Sequence, residues 1–334
     1  MKRKVYLKAA LIIACALIVL AVGLVLLRQY DQSRYSEQRG EMSEGFGELR
    51  TVEWNGEKYQ EKPAVTTLLI AGIDKTEDNS ALVSSTQKYR NGGQSDFLVL
   101  LAIDHTEKKI HQLQIDRDTM TDVVVLGVFG NETGTRKLQI CLSHSFGETP
   151  EDNAKYTIRA VQNLLGGIEI DGYYMFNYNA VPVLNDMLGG VKVTIREDMT
   201  SVNPAWTEGT VVTLRGKDAE RFVRARRSVG SGTNQERMTR QNEYMRGAIS
   251  QMNKLIAGDP GFGESLLSSM QNLAETNMSM NRLVTEIDKA HAYEVLEVDH
   301  LDGEYVTGQT GFTEFHMKEN AAVEWVLDHI YTKQ

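Results

Sequence analysis

Arginine is concentrated in one stretch of the chain, between Arg215 and Arg246. Nine basic residues, eight of them arginine, stand there against four acidic ones, whereas the whole chain has a formal charge of −9. The planar guanidinium group donates two hydrogen bonds at once, which suits it to phosphate. The stretch therefore predicts an anion site. The alternative is a solvated basic helix face with ordinary surface ion pairs.

The spacing within this stretch determines which side chains share a face. Arg224 and Arg226 point to one side if they lie in a strand, but a helix turns them about 200° apart. The apolar pair that precedes them favours the strand. Arg237, Arg240 and Gln241 recur at i, i+3 and i+4, which places them on one face of a long predicted helix. We expect these five side chains to converge on one anion.

Two carboxylates lie at the ends of apolar runs. Asp74 follows the run 68–73, and Asp96 precedes the run that begins at Phe97. If the two strands are neighbours, both carboxylates lie at one edge of the sheet, and hard oxygen ligands of this kind suit magnesium. The alternative is that each aspartate only forms a turn. Arg117, at the end of another strand, is either a cross-strand ion-pair partner or a phosphate ligand.

These residues need a scaffold, and the chain predicts an α/β fold. The continuous apolar runs 67–72 and 97–103 indicate strands buried on both faces. Residues 109–115 alternate with period two, and the short connection before them predicts an antiparallel pair. Helices are predicted at 154–165, 181–188, 216–222 and 235–256, with further helical segments between 261 and 334. The interleaved pattern predicts an α/β/α sandwich: a central mixed sheet covered by helices on both faces.

The N-terminal residues predict a membrane anchor. Residues 9–27 form an uncharged run of 19 residues behind a basic tip. About 20 such residues span the hydrocarbon core, and the basic flank stays in the cytoplasm. We therefore expect a cytoplasmic tip at 1–8, one transmembrane helix at 9–27 and an extracellular remainder. A cleaved signal peptide is the alternative, but its apolar core would be shorter.

A polar stalk at 28–50 precedes the predicted extracellular domain, 51–334. Asn55-Gly56 between two β-prone runs predicts a hairpin at the start of that domain. We expect Cys15 to face lipid and Cys141 to be a lone exported thiol with no partner.

Composition excludes several classes of protein. The acidic net charge argues against a general nucleic-acid binder. Two cysteines exclude a disulfide scaffold and a four-cysteine zinc module. The seven histidines show no metal-ligand spacing, and phosphate-loop, dinucleotide-binding and serine-hydrolase motifs are absent.

Together these stretches resemble the LytR-CpsA-Psr family of membrane-anchored cell-wall ligases. The matching pieces are LLIAGID (68–74), SDFLVLLAID (95–104), IDRD (115–118), DGYYMFNYNAVPVLNDMLGGVKVTI (171–195) and ERFVRARR…ERMTRQNEY (220–244). The resemblance implies an α/β/α sandwich with an apolar pocket for a prenyl chain. It further implies transfer of a glycopolymer, such as a teichoic acid or capsule polymer, from undecaprenyl-pyrophosphate to peptidoglycan.

The resemblance also assigns roles to individual residues. Asp74 and Asp96 match the family's magnesium carboxylates. The residues that match its pyrophosphate cage are Arg117, Lys137, Arg224, Arg226, Arg237, Arg240 and Gln241. Of the matched residues, Asp96, Arg117, Arg224 and Arg226 are the expected catalytic ones, with Asp96 a candidate proton acceptor. Val181, Leu184 and Leu188 line either the lipid pocket or an ordinary core, and their helical spacing favours the core.

Three residues depart from the family pattern. Gln94 replaces an arginine, Asp116 a proline and Asn234 an aspartate. Because most of the cage is present, we expect an active but divergent enzyme. The alternatives are a polyprenyl-pyrophosphate hydrolase, in which water replaces the acceptor sugar, and a catalytically silent binding or regulatory module.

Overall fold

The chain divides into two units, residues 1–61 with Gln334 and residues 62–333. The computed structural model describes residues 49–74, 92–127 and 130–334. The predicted tip 1–8, the predicted transmembrane helix 9–27 and most of the predicted stalk lie outside the described residues. Among the helices within the described ranges, none is long and apolar enough to cross a membrane.

The described part of the first unit is a β-hairpin. Strand β1, Thr51–Trp54, pairs antiparallel with β2, Glu57–Glu61. Asn55 and Gly56 form the turn with φ of 51° and 78°. Turns that match the twist of paired strands need positive φ at both central residues, which Asn-Gly tolerates. The predicted hairpin is confirmed.

The second unit contains a six-stranded mixed sheet. Its strands are β3 Val65–Asp74, β4 Gln94–Asp104, β5 Lys109–Gln114, β8 Gly172–Asn177, β11 Ala274–Thr276 and β12 Glu294–His300. Their order is β11-β8-β3-β4-β5-β12. β4 runs antiparallel to both β3 and β5, whereas β8 is parallel to β3 and β12 is parallel to β5. The expected antiparallel pairing of the runs 97–103 and 109–115 is confirmed, since they form β4 and β5.

Shorter strands form three two-stranded ladders in this unit. They are β6 Met120–Leu126 with β7 Glu132–Gln139, β9 Val191–Thr194 with β10 Val211–Leu214, and β13 Gly303–Thr307 with β14 Thr313–Met317. A last strand, β15, covers Tyr331–Lys333.

Seven α-helices accompany the sheet in the described part of the chain. They are α1 Pro150–Leu164, α2 Ala180–Met187, α3 Lys217–Arg224, α4 Asn234–Gly258, α5 Phe262–Met270, α6 Met280–Ala290 and α7 Ala321–His329. Threonines cap the two longest: Thr149 forms a capping box with Asp152, and Thr233 accepts from the Glu236 backbone N–H. The helices predicted at 154–165, 181–188, 216–222 and 235–256 are confirmed, and they correspond to α1 to α4.

The two faces of β3 have different surroundings. Leu69 and Ala71 are fully buried on one face. Leu68 and Ile70, on the other face, line a cavity together with residues of the neighbouring strands and of α2 to α6. The predicted α/β class, with a mixed central sheet and packed helices, is confirmed.

The strand predicted around Arg224 and Arg226 is wrong. Arg224 is the last residue of α3, and Ala225 after it is extended, with ψ of 135°. Helix α3 buries Ala219, Phe222 and Val223, so the apolar pair that favoured a strand lies on the inner face of a short helix instead. The chain leaves the helix between the two arginines.

Candidate functional site

The two predicted metal carboxylates lie on neighbouring strands. Asp74, the last residue of β3, pairs with Gln94, but the register shifts next to Gly72, which pairs with Phe97. Asp96 is therefore the extra residue of a β-bulge in β4. Bulges of this kind often re-aim a side chain beside a site.

Asp96 lies between two arginines. Arg117 Nη1 is 3.0 Å from its Oδ1, and Arg237 Nη1 donates to its Oδ2 at 2.8 Å. Arg117 follows β5, and Arg237 lies in the first turn of α4, so the contact joins three elements. Asp96 and Arg237 are both buried. The family-matched residues Asp96, Arg117 and Arg237 are thus brought together.

Arg224 lies at the rim of this cluster. Its Nη2 donates to Asp74 at 2.6 Å and its Nη1 to Glu220 at 2.7 Å. Its guanidinium carbon is 5.3 Å from the centre of the Tyr178 ring, a cation–π distance. The side chain is nevertheless 31% exposed. Arg224 is therefore fixed in place and still accessible to a ligand.

Arg226 is the least neutralised arginine of the cluster. It reaches Asp118 only at 3.9 Å, beyond hydrogen-bond distance, and it is 29% exposed. Partial burial, together with repulsion from Arg237, lowers the pKa of Arg226 below its ordinary value. An anion that binds beside Arg226 would relieve this repulsion.

Arg240 and Gln241 lie behind the rim. Arg240 bonds the Glu197 carboxylate and the Ala225 carbonyl, and its side chain is only 2% exposed. Gln241 Nε2 is 3.5 Å from the Tyr178 hydroxyl. These contacts make Arg240 a support for the segment that carries Arg224 and Arg226, and its expected role as an anion ligand stays a prediction.

Lys137 lies apart from the other cage residues. It is in β7, opposite Asp122 of β6, and its Nζ bonds that carboxylate at 3.0 Å. The side chain is 67% exposed. The structure does not bring Lys137 together with the arginines, because the register of its ladder directs it to Asp122.

Two neighbours of Arg117 were not recognised from the sequence. Arg117 Nη2 donates to Gln94 Oε1 and, at 2.9 Å, to the Cys141 sulfur. Cys141 is a free, buried thiol, and burial raises its pKa to about 11 although Arg117 opposes the shift. Cys141 forms no disulfide with the described residues, but its sulfur accepts a hydrogen bond from Arg117 that the sequence did not indicate. No local pattern indicates the contact, since it joins elements 24 residues apart.

An apolar cavity of about 340 Å³ lies against the face of the sheet described above. Val181, Leu184 and Leu188 line it, so they border a cavity rather than only a filled core. Tyr178 and Gln241, which contact one another beside Arg224, also line it. The cavity therefore reaches the arginine cluster.

The donor set fits a magnesium ion shared with a phosphate. Asp96 Oδ1 is buried and accepts no well-aligned hydrogen bond, although Arg117 Nη1 lies 3.0 Å from it. Asp74, at the end of the adjacent strand, is paired with Arg224. Magnesium usually takes one or two carboxylates and completes its shell with phosphate oxygens and water. Within the described ranges, no group of three or more His, Cys, Asp or Glu residues could hold a metal ion.

The fold and the site together define a class: an α/β protein whose arginine–carboxylate cluster adjoins an apolar cavity. The family model for the LytR_cpsA_psr family matches residues 29–326. The chain belongs to this family, which confirms the resemblance stated from the sequence.

Two curated relatives carry the same name, polyisoprenyl-teichoic acid–peptidoglycan teichoic acid transferase TagU. The one from Halalkalibacterium halodurans is 31% identical over 55% of this chain and 52% of its own length. The one from Bacillus anthracis is 24% identical over 76% of this chain and 75% of its own length. This chain thus spans only about half of the first relative. The crystal structure of B. subtilis TagV shares the fold, with a TM-score of 0.58 and 19% identity over 80% of this chain and 96% of that one.

Proposed function

We propose that this chain is a phosphotransferase that attaches a glycopolymer to peptidoglycan, taking the polymer from an undecaprenyl-pyrophosphate carrier. The observation that carries the proposal is the continuity of the arginine cluster with the apolar cavity at Tyr178 and Gln241. A prenyl pyrophosphate has the same division, with a dianionic head group beside a long apolar chain. Binding sites bury the apolar part of a ligand and orient it by a few polar groups.

The names of the relatives support a transferase and suggest the polymer. Two of them are named as teichoic acid transferases that act on peptidoglycan. We therefore propose that the polymer on the carrier lipid is a teichoic acid or a similar anionic wall polymer.

In the proposed reaction, Arg117, Arg224 and Arg226 bind the pyrophosphate and stabilise the charge that develops on the transferred phosphoryl group. An acceptor hydroxyl of peptidoglycan forms a bond to the sugar-linked phosphorus, while the bond from that phosphorus to the bridging oxygen breaks. Polyprenyl monophosphate leaves, and the polymer stays joined through a phosphodiester.

Asp96 is our candidate for accepting the proton of the acceptor hydroxyl. Its carboxylate lies between Arg117 and Arg237, beside the cations proposed to bind the pyrophosphate, and so would adjoin the attacking hydroxyl. Magnesium held by Asp74 and Asp96 would supply further neutralisation of phosphate charge when bound.

We further propose that the chain is a single-pass membrane protein with a cytoplasmic N-terminus and an extracellular domain. The proposal rests on the uncharged run 9–27 and its basic flank. Protease added to intact protoplasts should degrade residues 28–334. Protection of the domain until lysis would contradict this topology.

The function is tested with an undecaprenyl-pyrophosphate-linked teichoic acid and isolated peptidoglycan. Arg226→Ala removes one charge-assisted donor, so donor affinity should fall by about 1.5–3 kcal/mol, tenfold or more. Arg221→Ala is the matched control, because Arg221 is 60% exposed and pairs with Asp218 on the same helix. Ala248→Phe, in the cavity wall, should weaken the prenyl donor but not inorganic pyrophosphate.

The products distinguish the three candidate functions. Polymer linked to peptidoglycan supports the transferase. Release of free phosphorylated polymer without linkage would indicate a hydrolase, and donor binding without turnover would indicate a silent binding module.

A further inference from the structure

Asp116 is a buried carboxylate next to the arginine cluster, and both of its oxygens are bonded. Oδ1 accepts from Asn234 Nδ2 at 2.9 Å and from the Asp118 backbone N–H at 2.8 Å. Oδ2 accepts from the Tyr305 hydroxyl at 2.5 Å. All three donors are uncharged. A buried ion is costly unless it is well hydrogen-bonded, so this arrangement requires each of the three donors to stay in place.

Asn234 connects Asp116 to Arg237. Its Oδ1 accepts from Arg237 Nε at 3.1 Å and from Nη2 at 2.5 Å. Because Arg237 is only a donor, the amide oxygen must face it, and the amide NH2 must face Asp116. The accepting carboxylate of Asp116 and the donating guanidinium of Arg237 thus fix the orientation of the amide together, and the amide holds Arg237 where its Nη1 meets Asp96.

Asp116 also shapes the loop that carries Arg117. Its side chain accepts from the Asp118 N–H, and its carbonyl accepts from the Thr119 N–H at 3.0 Å. Arg117, between them, reaches Asp96 from the side opposite Arg237. The contacts close into a ring of Asp116, Arg117, Asp96, Arg237 and Asn234.

We propose that Asp116 is a positioning residue for both arginines that flank Asp96, acting through its own loop and through Asn234. Tyr305 extends the ring to the β13–β14 hairpin, where its ring packs on Phe315 with centroids 4.9 Å apart. The hairpin thus helps to hold the anion site although it contributes no cation to the ring. This inference deepens the proposed function and rests on it for the affinity measurement below.

The test exchanges the charges of Asp116 and Asn234. Asn234→Asp places two carboxylates face to face at a hydrogen-bond distance. The ¹⁵N Nε–H signal of Arg237 should shift, and affinity for geranylgeranyl diphosphate should fall about tenfold or more. In Asp116→Asn/Asn234→Asp, the amide at 116 donates back to the carboxylate at 234, although its nitrogen cannot accept from the Asp118 N–H as Oδ1 does. The signal should return part of the way to its native position, and the affinity should exceed that of Asn234→Asp by about threefold or more.

A control and a milder variant complete the experiment. Asn281→Asp makes the same chemical change at an exposed position of α6 and should alter neither readout. Tyr305→Phe removes one hydroxyl and should lower affinity about threefold, which corresponds to one hydrogen bond. If the charge variants fail to fold, Tyr305→Phe decides, and an unchanged Arg237 signal together with native affinity would overturn the proposal.

Two other results of the charge exchange would overturn the proposal. One is an Asn234→Asp protein with the native Arg237 signal and the native affinity. The other is a double variant whose signal and affinity are no closer to native than those of Asn234→Asp alone. If the native protein does not bind geranylgeranyl diphosphate, the proposed function fails, and the Arg237 signal still decides this inference.

Discussion

Replacing Arg240 by alanine should destabilise the domain rather than simply remove an anion ligand. The Arg240 side chain is 2% exposed, and it bonds both Glu197 and the Ala225 carbonyl. Removing one partner of a buried ion pair typically costs about 3–5 kcal/mol, because the other partner keeps an uncompensated charge. Glu197 is 16% exposed, so water partly solvates the orphaned carboxylate. We therefore expect the lower end of that range, about 3 kcal/mol.

Urea and thermal unfolding measure this effect. For a domain of this size, about 3 kcal/mol corresponds to a decrease in Tm of roughly 6–12 °C. Arg221→Ala is the control, because its side chain is 60% exposed and should change stability by less than about 0.5 kcal/mol. Arg240→Met/Glu197→Leu removes both charges together and should recover most of the lost stability.

The opposite pattern would refute this reasoning. If Arg240→Ala stays within about 1 kcal/mol of native stability but loses affinity for inorganic pyrophosphate, Arg240 is an anion ligand, as the family resemblance implies. If the double variant is less stable than Arg240→Ala, the guanidinium supports the fold mainly through the Ala225 carbonyl.

Three further predictions concern other parts of the molecule. Asp74→Asn should lower the rate of transfer more than it lowers donor affinity, since the arginines still hold the pyrophosphate. Transfer by the native protein should need a divalent cation, and metal-independent transfer would contradict this. Cys141 should resist Ellman's reagent until the protein unfolds, because it is buried and its pKa is raised to about 11. The measurement is the rate of labelling across a urea titration of a Cys15→Ala protein, in which Cys141 is the remaining thiol. The rings of His111 and His329 are tilted by 35° to one another, with centroids 4.3 Å apart, and burial is the first cause that lowers both pKa values. The folded state therefore favours neutral rings, and their contribution to the free energy of unfolding should be constant above about pH 6.5 and decrease as the pH falls below it. His111→Gln should flatten that decrease in urea titrations.

Continuous apolar runs and cap signals were sufficient to predict the main elements. The runs that became β3 and β4 are buried on one face and covered by the walls of the apolar cavity on the other, so apolar residues are favoured at nearly every position. The segment with Arg224 was mispredicted, because an apolar pair of two residues fits the inner face of a short helix as well as a strand. Deciding between them requires the packing of Phe222 against its neighbours, which is a tertiary contact.

The members of the site were easier to predict than their roles. Types and spacing identified Arg224, Arg226 and Arg237, but nothing in the sequence separates these from Arg240, which the fold buries against Glu197. Helical spacing is the same for a residue that lines a cavity and for one in a filled core. The contact of Asn234 with Asp116 joins positions 118 residues apart and needs the folded chain.

The charge of the site explains why an anion and a cation would favour each other there. Four arginines and five carboxylates meet in this cluster: Arg117, Arg224, Arg226, Arg237, Asp74, Asp96, Asp116, Asp118 and Glu220. Arg117, Arg224 and Arg237 are therefore already paired with protein carboxylates, and a pyrophosphate must compete with Asp74 and Asp96 for them. A divalent cation that binds these two carboxylates would release the guanidinium groups to the phosphate, and the bound phosphate would in turn complete the shell of the cation. Coupling of this kind is reciprocal, so each should raise the affinity of the other by the same factor.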